Sequence, residues 1–197
     1  MIQLVILIHA NVVGTPLFKL TDLGLFIAQQ DLHTAANSER NKRTIHLTKT
    51  GFFSNTVSFK DQTIGIDGEE LLFTKIFEGQ QARESLITAS NSTITLKSLS
   101  LETISTRAVI VTDASVCHLL NSHVLVLEHL SPIEVIASSV IVDSTRFSFP
   151  FSTSPSLCTT DSTSSTVLFR QCSFFDVFVA SEGYFLTCPK LQQLDVV

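Results

Sequence analysis

The chain has 197 residues, a formal net charge of −5, and 44% hydrophobic against 16% charged residues. The length predicts one domain, and the apolar content excludes a disordered chain. The acidic balance disfavours a general nucleic-acid binder, which needs a basic face, and the seven glycines disfavour a glycine-loop nucleotide fold.

Residues 1–43 are predicted to be an N-terminal capping segment or irregular first coils of a repeat. The apolar run at residues 2–8 lacks a basic flank and is too short to span a bilayer, so we interpret it as a buried strand. Residues 17–34 also fit an amphipathic helix whose apolar side is formed by Leu20, Leu23, Phe26 and Ile27. Such a helix would cover the exposed edge of a sheet.

From residue 44 onward the chain repeats a pattern in which a small polar pair precedes alternating apolar positions. Alternation over a short run is typical of a strand. A two-residue gap inside the pattern shifts the alternation by one, which predicts a bend between two short strands. The clearest windows, residues 92–101, 138–147 and 165–174, would face these side chains inward: Ile94, Leu96, Leu99 and Leu101; Val140, Val142, Thr145 and Phe147; Val167, Phe169, Cys172 and Phe174.

Other windows fit the pattern less well. Residues 114–123 align without gaps, which places His118 and His123 at inward positions. Residues 55–64 fall outside the regular series, so they belong to another face or the register is wrong there. Weaker windows are predicted to begin at Phe18, Ile45 and Leu71.

The windows recur every 22–27 residues, and a second apolar strand precedes each clear one. Two or three short strands in each repeat of this length are typical of a β-solenoid. We therefore predict an all-β, parallel β-solenoid of about six to seven coils over residues 44–190. Like residues should stack in columns, such as Leu96, Val142 and Phe169, or Leu101, Phe147 and Phe174. The alternative is an antiparallel sandwich, whose turns should recur every ~8–12 residues.

Two C-terminal stretches break the repeat. Residues 149–166 are rich in Ser, Thr and Pro and are predicted to be a loop that bulges from one coil. Residues 191–197 are predicted to be a tail. Because the chain ends on Val196 and Val197, a fragment of a longer β-helix protein, whose next coils would be its partners, is one alternative.

Residues 165–188 (STVLFRQCSFFDVFVASEGYFLTC) best show a family resemblance. The repeats resemble those of the pectin-lyase-like superfamily of right-handed parallel β-helices, above all the degenerate repeats of large surface or secreted proteins. The resemblance covers about residues 44–188 and implies coil geometry. The chain lacks the Gly-Gly-Ala-Ile and Phe-x-x-Asn repeats of polymorphic bacterial surface proteins. It also lacks the Asn-Thr-Asp, Asp-Asp, Gly-His-Gly and Arg-Ile-Lys motifs of polygalacturonases.

Candidate site residues are sparse. Asp113 and Asp143 each lie near a predicted turn, and two carboxylates in register could bind calcium or act in acid–base catalysis. The alternative, solvated turn aspartates, is preferred. His118, His123 and His129 form a local cluster that could hold zinc, although their spacing matches no common zinc motif. We therefore expect no metal and no cofactor.

Asn91 begins the glycosylation sequon Asn-Ser-Thr at a predicted turn. The sequon and the family resemblance favour an extracellular or cell-surface location. Cys117, Cys158, Cys172 and Cys188 contain no CxxC pair. We predict buried free thiols, with three disulfide connectivities as the alternative.

The absence of familiar catalytic motifs leads to the functional prediction. We expect a non-catalytic β-helix module, structural or adhesive, that presents an extended surface to a polysaccharide or a protein. The alternative is a polysaccharide lyase or glycoside hydrolase with atypical catalytic residues. No nucleic-acid partner and no transmembrane segment are expected.

Overall fold

The structure, a computed structural model, describes residues 30–32, 44–47, 51–71, 73–128, 130–150, 156–160, 164–175 and 191–196. The strands in these ranges are β1 (Gln30–Asp31), β2 (Thr44–His46), β3 (Gly51–Ser54), β4 (Val57–Lys60), β5 (Thr63–Asp67), β6 (Thr74–Glu78), β7 (Ser85–Ser90), β8 (Thr93–Lys97), β9 (Leu99–Thr103), β10 (Arg107–Thr112), β11 (Val116–Leu120), β12 (His123–Val126), β13 (Ile133–Val135), β14 (Ser139–Asp143), β15 (Arg146–Ser148), β16 (Cys158–Thr160), β17 (Thr166–Phe175) and β18 (Leu191–Val196). Over the ranges described, no helix has the length and apolar character needed to cross a bilayer. The apolar run at residues 2–8 and the window beginning at Phe18 lie outside these ranges, as does all of the helix considered for residues 17–34 apart from residues 30–32.

The strands form three stacks of parallel strands along one axis. Sheet I contains β4, β7, β10, β13 and β16. Sheet II contains β2, β5, β8, β11, β14, the first half of β17 and β18. Sheet III contains β1, β3, β6, β9, β12, β15 and the second half of β17. The fold is therefore a parallel β-solenoid, as the repeat predicted.

Each coil passes through sheets I, II and III in that order. Coils 1 to 5 span residues 57–78, 85–103, 107–126, 133–148 and 158–175. The solenoid has about five turns, slightly fewer than the six to seven predicted. The difference arises because the window beginning at Phe18 lies outside the described residues. The window beginning at Ile45 forms only β2 and β3, with no strand of sheet I before them among the described residues.

The predicted columns of inward side chains are confirmed. In sheet II, Leu96, Leu119, Val142 and Phe169 pair in sequence from coil 2 to coil 5. In sheet III, the column is Leu101, Val124, Phe147 and Phe174. All but Phe174, which packs against the core, are at most 1% exposed. Apolar burial of this kind stabilises by about 25 cal/mol per Å² removed from water.

The corners between sheets use residues with positive φ. At the corner between sheets I and II these include Asp61, Asn91 and Ala137, and at the corner between sheets II and III they include Phe73, Ser98, Asn121, Ser144 and Gln171. The N–H of Asn121, for example, still donates to the carbonyl of Asp143 in the next coil at 3.0 Å. One left-handed residue thus turns the chain without ending the pairing between coils, which explains the two-residue gap in the sequence pattern.

A column of buried serines follows the first of these corners. Ser92, Ser115, Ser138 and Ser165 are each at most 5% exposed. The Ser92 N–H donates to Ser115 Oγ at 3.0 Å, and the Ser115 N–H donates to Ser138 Oγ at 3.1 Å. The hydroxyls of Ser92, Ser115 and Ser138 also donate within their own coils, as Ser115 does to the Thr112 carbonyl at 2.5 Å. The Ser165 hydroxyl instead donates to the Val135 carbonyl of the preceding coil at 3.1 Å. The column satisfies backbone groups that the bend would otherwise leave unpaired.

We expect Ser115→Ala to lower the free energy of unfolding by about 1–3 kcal/mol, because it leaves the buried Ser92 N–H and Thr112 carbonyl without that partner. Urea denaturation measures the loss. The matched control is Ser139→Ala. Ser139 faces outward on β14, so this variant removes a serine hydroxyl without removing a member of the buried serine column. Equal losses in the two variants would contradict a stabilising role for the serine column.

The register predicted for residues 114–123 is wrong by one residue. Two positive-φ residues, Asp113 and Ala114, occupy a corner where coils 2 and 4 have one. The strand therefore starts one residue later, and Cys117 rather than Val116 pairs with Ile94. Consequently His118 faces outward on β11, and His123 faces outward at the start of β12.

Three other local expectations change. Leu71, predicted to begin an inward pattern, is 95% exposed in the connection between β5 and β6. Cys158–Thr160 form β16 inside the stretch predicted to be a loop. Leu191–Val196, predicted to be a tail, form β18 and pair with β17.

Two of the four cysteines, Cys117 and Cys172, are buried free thiols as predicted. Burial raises the pKa of the Cys117 thiol to about 12, so it behaves as a small apolar side chain. The prediction is wrong for Cys158, which is disulfide-bonded. Cys188 lies outside the described residues.

Candidate functional site

The structure does not bring Asp113 and Asp143 together. Asp113 lies at the corner before β11, whereas Asp143 ends β14 and pairs with Leu120 at the far end of β11. Four residue-to-residue steps of extended strand, from Val116 to Leu120, separate those two ends by about 13 Å.

Each of these aspartates has local partners instead. Ser90 Oγ and Thr112 Oγ1 donate to Asp113 Oδ2 at 2.7 and 3.0 Å. These hydrogen bonds, with a smaller contribution from Lys60, lower the pKa of Asp113. Asp143 Oδ1 accepts from Ser144 Oγ at 2.8 Å. Both arrangements are those of carboxylates that stabilise turns.

The histidines are not arranged as a metal site in the part of the chain that the structure describes. His118 lies on the outer face of sheet II and His123 on the outer face of sheet III. His129 lies outside the described residues. No group of three or more His, Cys, Asp or Glu side chains within the described ranges is placed to hold a metal ion.

Asn91 is exposed at a corner, with φ of 48°. Its Nδ2 donates to Asp61 Oδ1 at 2.7 Å in the preceding coil. The two residues line a shallow polar depression together with Gln62, Thr63, Ser92, Thr93 and Ala114. Thr93, the third residue of the sequon, is also exposed, so the corner has room for a modification at Asn91.

The outer face of sheet III combines aromatic, charged, imidazole and hydroxyl side chains. The strand register aligns two outward rows, one with Gly51, Lys75, Ser100, His123, Arg146 and Ser173, the other with Phe53, Phe77, Glu102, Leu125, Ser148 and Phe175. One outer row of sheet II carries the hydroxyl and aliphatic side chains of Thr63, Thr93, Val116, Ser139 and Thr166. Another carries His46, Asp67, Lys97, Leu120, Asp143 and Arg170. Neither of these rows contains a phenylalanine. We define the two rows of sheet III as the sheet III face.

Aromatic rings lie at both ends of the sheet III face. Phe53 and Phe77 pack with ring centroids 6.0 Å apart, and Lys75 Nζ lies 5.7 Å from the Phe77 centroid. At the other end, Phe175 is 42% exposed, and the Arg146 guanidinium lies 4.5 Å from its centroid. Cations over ring faces are attracted by the ring quadrupole, so Phe77 and Phe175 each lie beside a positive charge.

A chain of polar contacts joins the two ends. Lys75 Nζ lies 2.8 Å from Glu102 Oε1, and Ser100 Oγ donates to the same oxygen at 3.3 Å. Ser100 Oγ also lies 3.5 Å from His123 Nδ1, and His123 Nε2 lies 3.1 Å from Ser148 Oγ. The contacts therefore run along the solenoid axis through coils 1 to 4.

His123 is half-buried within this chain. Burial lowers its pKa, Glu102 opposes that shift, and Arg146 and Lys75 lower the pKa further. The imidazole is therefore neutral near pH 7, with one ring nitrogen free to accept a hydrogen bond.

The residue pattern gave weak signals of this site. Phe77, Glu102 and Ser148 are far apart in sequence, and only the strand register places them in one row. The predicted register of coil 3 is wrong by one residue and places His123 inward, so His123 is not predicted to belong to this surface. With two left-handed residues at the corner before β11, the same spacing would have aligned His123 with Ser100 and Arg146.

The fold and this surface together define the protein as a parallel β-solenoid with an aromatic and charged outer face. No known family model, curated protein or solved structure matches the chain.

Proposed function

We propose that the protein is a β-helix binding module that recognises an extended glycan along the sheet III face. The observation that carries the proposal is the pair of aromatic ends joined by a chain of polar groups. Sugar rings present apolar C–H faces, which pack on aromatic rings, and hydroxyl groups, which exchange hydrogen bonds with polar side chains.

The dimensions of the face favour a polymer over a single sugar. Phe77 and Phe175 lie in the same row, separated by Glu102, Leu125 and Ser148. Four steps between neighbouring coils at about 4.8 Å place these rings about 19 Å apart. An oligomer that spans several coils would contact both rings, whereas a monosaccharide would contact one.

The right-handed, pectin-lyase-like character of the repeats is part of this proposal, as is an extracellular or cell-surface location. The disulfide at Cys158 supports the location, because disulfides persist in oxidising compartments. The exposed sequon at Asn91 supports it as well.

Thermal melts against neutral and acidic oligosaccharides of increasing length test the proposal. A ligand that binds only the folded state raises the midpoint, with a stabilisation of about 2.7 kcal/mol at 100 times its Kd. We expect a shift that requires a minimum oligomer length. Phe77→Ala and Phe175→Ala should each weaken binding by about 2- to 10-fold, the effect of losing one aromatic contact.

Leu71→Ala is the matched control, because Leu71 is an exposed apolar residue outside the sheet III face. It should leave the ligand-induced shift unchanged. A cooperative melt that no sugar shifts would overturn glycan binding, and a shift that survives in both phenylalanine variants would place the glycan on another surface.

A further inference from the structure

The contact between Ser148 and His123 has the geometry of an activated nucleophile. Ser148 Oγ lies 3.1 Å from His123 Nε2, within the distance at which a base accepts a hydroxyl proton. Ser148 is 7% exposed, so its hydroxyl competes with little bulk water for this partner.

The remaining contacts orient the imidazole for the same task. With its proton on Nδ1, His123 donates to Ser100 Oγ at 3.5 Å and accepts from Ser148 at Nε2. Ser100 in turn donates to Glu102 Oε1 at 3.3 Å. Each hydrogen bond in the series from Ser148 through His123 and Ser100 to Glu102 then has one donor and one acceptor. The negative charge of the Glu102 carboxylate lies at the end of this series. A base held by a third group in this way is the general arrangement of nucleophilic hydrolases.

A cation lies beside the pair. Arg146 is register-paired with His123, and its guanidinium rests on the Phe175 ring, while Phe175 is register-paired with Ser148. No ion pair engages Arg146 within the described residues. Its charge is available to an oxyanion that forms near Ser148, which is the remaining requirement for acyl transfer.

We propose that Ser148 is the nucleophile, and His123 the base, of an acyl-ester hydrolase centre on the sheet III face, with small O-acyl esters as the substrate class. This activity goes beyond the proposed binding role and does not depend on it. Ser100 and Glu102 act as positioning residues, because Ser100 contacts the base and Glu102 accepts the hydrogen bond from Ser100, and neither contacts the substrate.

The reaction balances with water as the only co-reactant. Ser148 Oγ forms a bond to the ester carbon and gives its proton to His123 Nε2. The carbon–alkoxide bond then breaks, and the alcohol leaves with that proton. Water next gives a proton to Nε2 and bonds to the acyl carbon, which releases the acid and returns the proton to Ser148.

The test uses the full chain with p-nitrophenyl acetate and a fluorophosphonate that labels activated serines. We expect hydrolysis above the buffer rate and a single label that maps to Ser148. Ser148→Ala should remove both, and His123→Ala should lower the rate by about 100-fold or more. Ser139→Ala, an outward serine on sheet II, is the control and should keep the full rate.

Glu102→Gln separates orientation of the base from a purely structural role. Glu102 raises the pKa of His123, whereas Arg146 and Lys75 lower it. Removing the carboxylate charge should therefore move the acidic limb of the rate profile to lower pH. An unmoved limb would overturn the positioning role.

Melting midpoints establish that each variant is folded. A folded wild-type protein whose rate equals that of Ser148→Ala, or a label on another residue, would overturn the proposed centre. Neither result bears on the oligosaccharide shifts, so failure of the centre and failure of glycan binding are distinguishable.

Discussion

Replacing Phe147 with alanine is expected to lower the free energy of unfolding by about 3–5 kcal/mol, the usual loss for a buried phenylalanine. Phe147 is fully buried. Its ring stacks on Phe174 and Phe149 at centroid distances of 5.6 and 6.4 Å, and meets Phe169 edge-on at 5.9 Å. The cavity would therefore open between coils 4 and 5, where no neighbouring element can move in without breaking strand pairing.

Equilibrium urea denaturation measures this loss, and Phe175→Ala is its matched control. Phe175 is on the opposite face of the same sheet and 42% exposed. We expect its removal to cost less than about 1 kcal/mol, because little apolar area leaves the protein interior. Equal losses of unfolding free energy in the two variants would contradict the expectation that the buried ring of Phe147 stabilises the fold more than the exposed ring of Phe175.

Replacing Glu78 with alanine is expected to lower the free energy of unfolding by about 3 kcal/mol, because five buried or partly buried hydrogen bonds lose one shared acceptor group. Glu78 is 9% exposed. Its Oε2 accepts from the N–H groups of Ile104, Ser105 and Thr106 at 2.7, 2.9 and 3.1 Å and from Thr106 Oγ1 at 3.0 Å, while Oε1 accepts from Ser105 Oγ at 2.6 Å. The carboxylate thus fixes the turn that links coil 2 to coil 3.

The same residue predicts a pH dependence. Burial alone would raise the pKa of Glu78, but the hydrogen bonds from Ser105, Ile104 and Thr106 outweigh burial and leave the pKa below its ordinary value of 4.5. Stabilisation by a group with a lowered pKa is complete above its unfolded value and is lost as the pH falls through the folded value. Wild-type stability should therefore fall below about pH 4.5.

Glu78→Gln is the matched control for this pH dependence. It retains a side-chain acceptor but does not titrate, so its stability should fall less steeply over the same acidic range. Urea denaturation at several pH values compares the two proteins. Parallel curves for wild type and Glu78→Gln would show that other carboxylates, such as Asp113, account for the acid sensitivity.

The coil geometry was predictable because its cause is local. Ile94, Leu96, Leu99 and Leu101 follow the alternation of strands that bury one face, and the left-handed Ser98 explains the interruption. The number of residues at each corner was harder to predict, since Asp and Ala do not distinguish one left-handed residue from two. The prediction that Leu71 begins an inward pattern is wrong for another reason. In the sequence, a single exposed apolar residue in a connection cannot be distinguished from the first apolar position of the repeat.

The sheet III face was beyond sequence reasoning for a different reason. A row on the outside of a solenoid has no burial constraint, so its residues need not resemble one another. Glu102, Leu125 and Ser148 occupy one row and share no chemistry. They become neighbours only through the register of strand pairing. An error of one residue in that register moves every side chain of the strand to the opposite face of the sheet.

The stacking of coils also sets the course of folding. Partners in neighbouring coils lie about one repeat apart along the chain, as with the 23 residues between Ser92 and Ser115 and the 30 between Val135 and Ser165. Closing such loops costs similar entropy at every coil, because that cost grows slowly with length. A nucleus of two coils can therefore form anywhere in the array, and each later coil adds to a template already present.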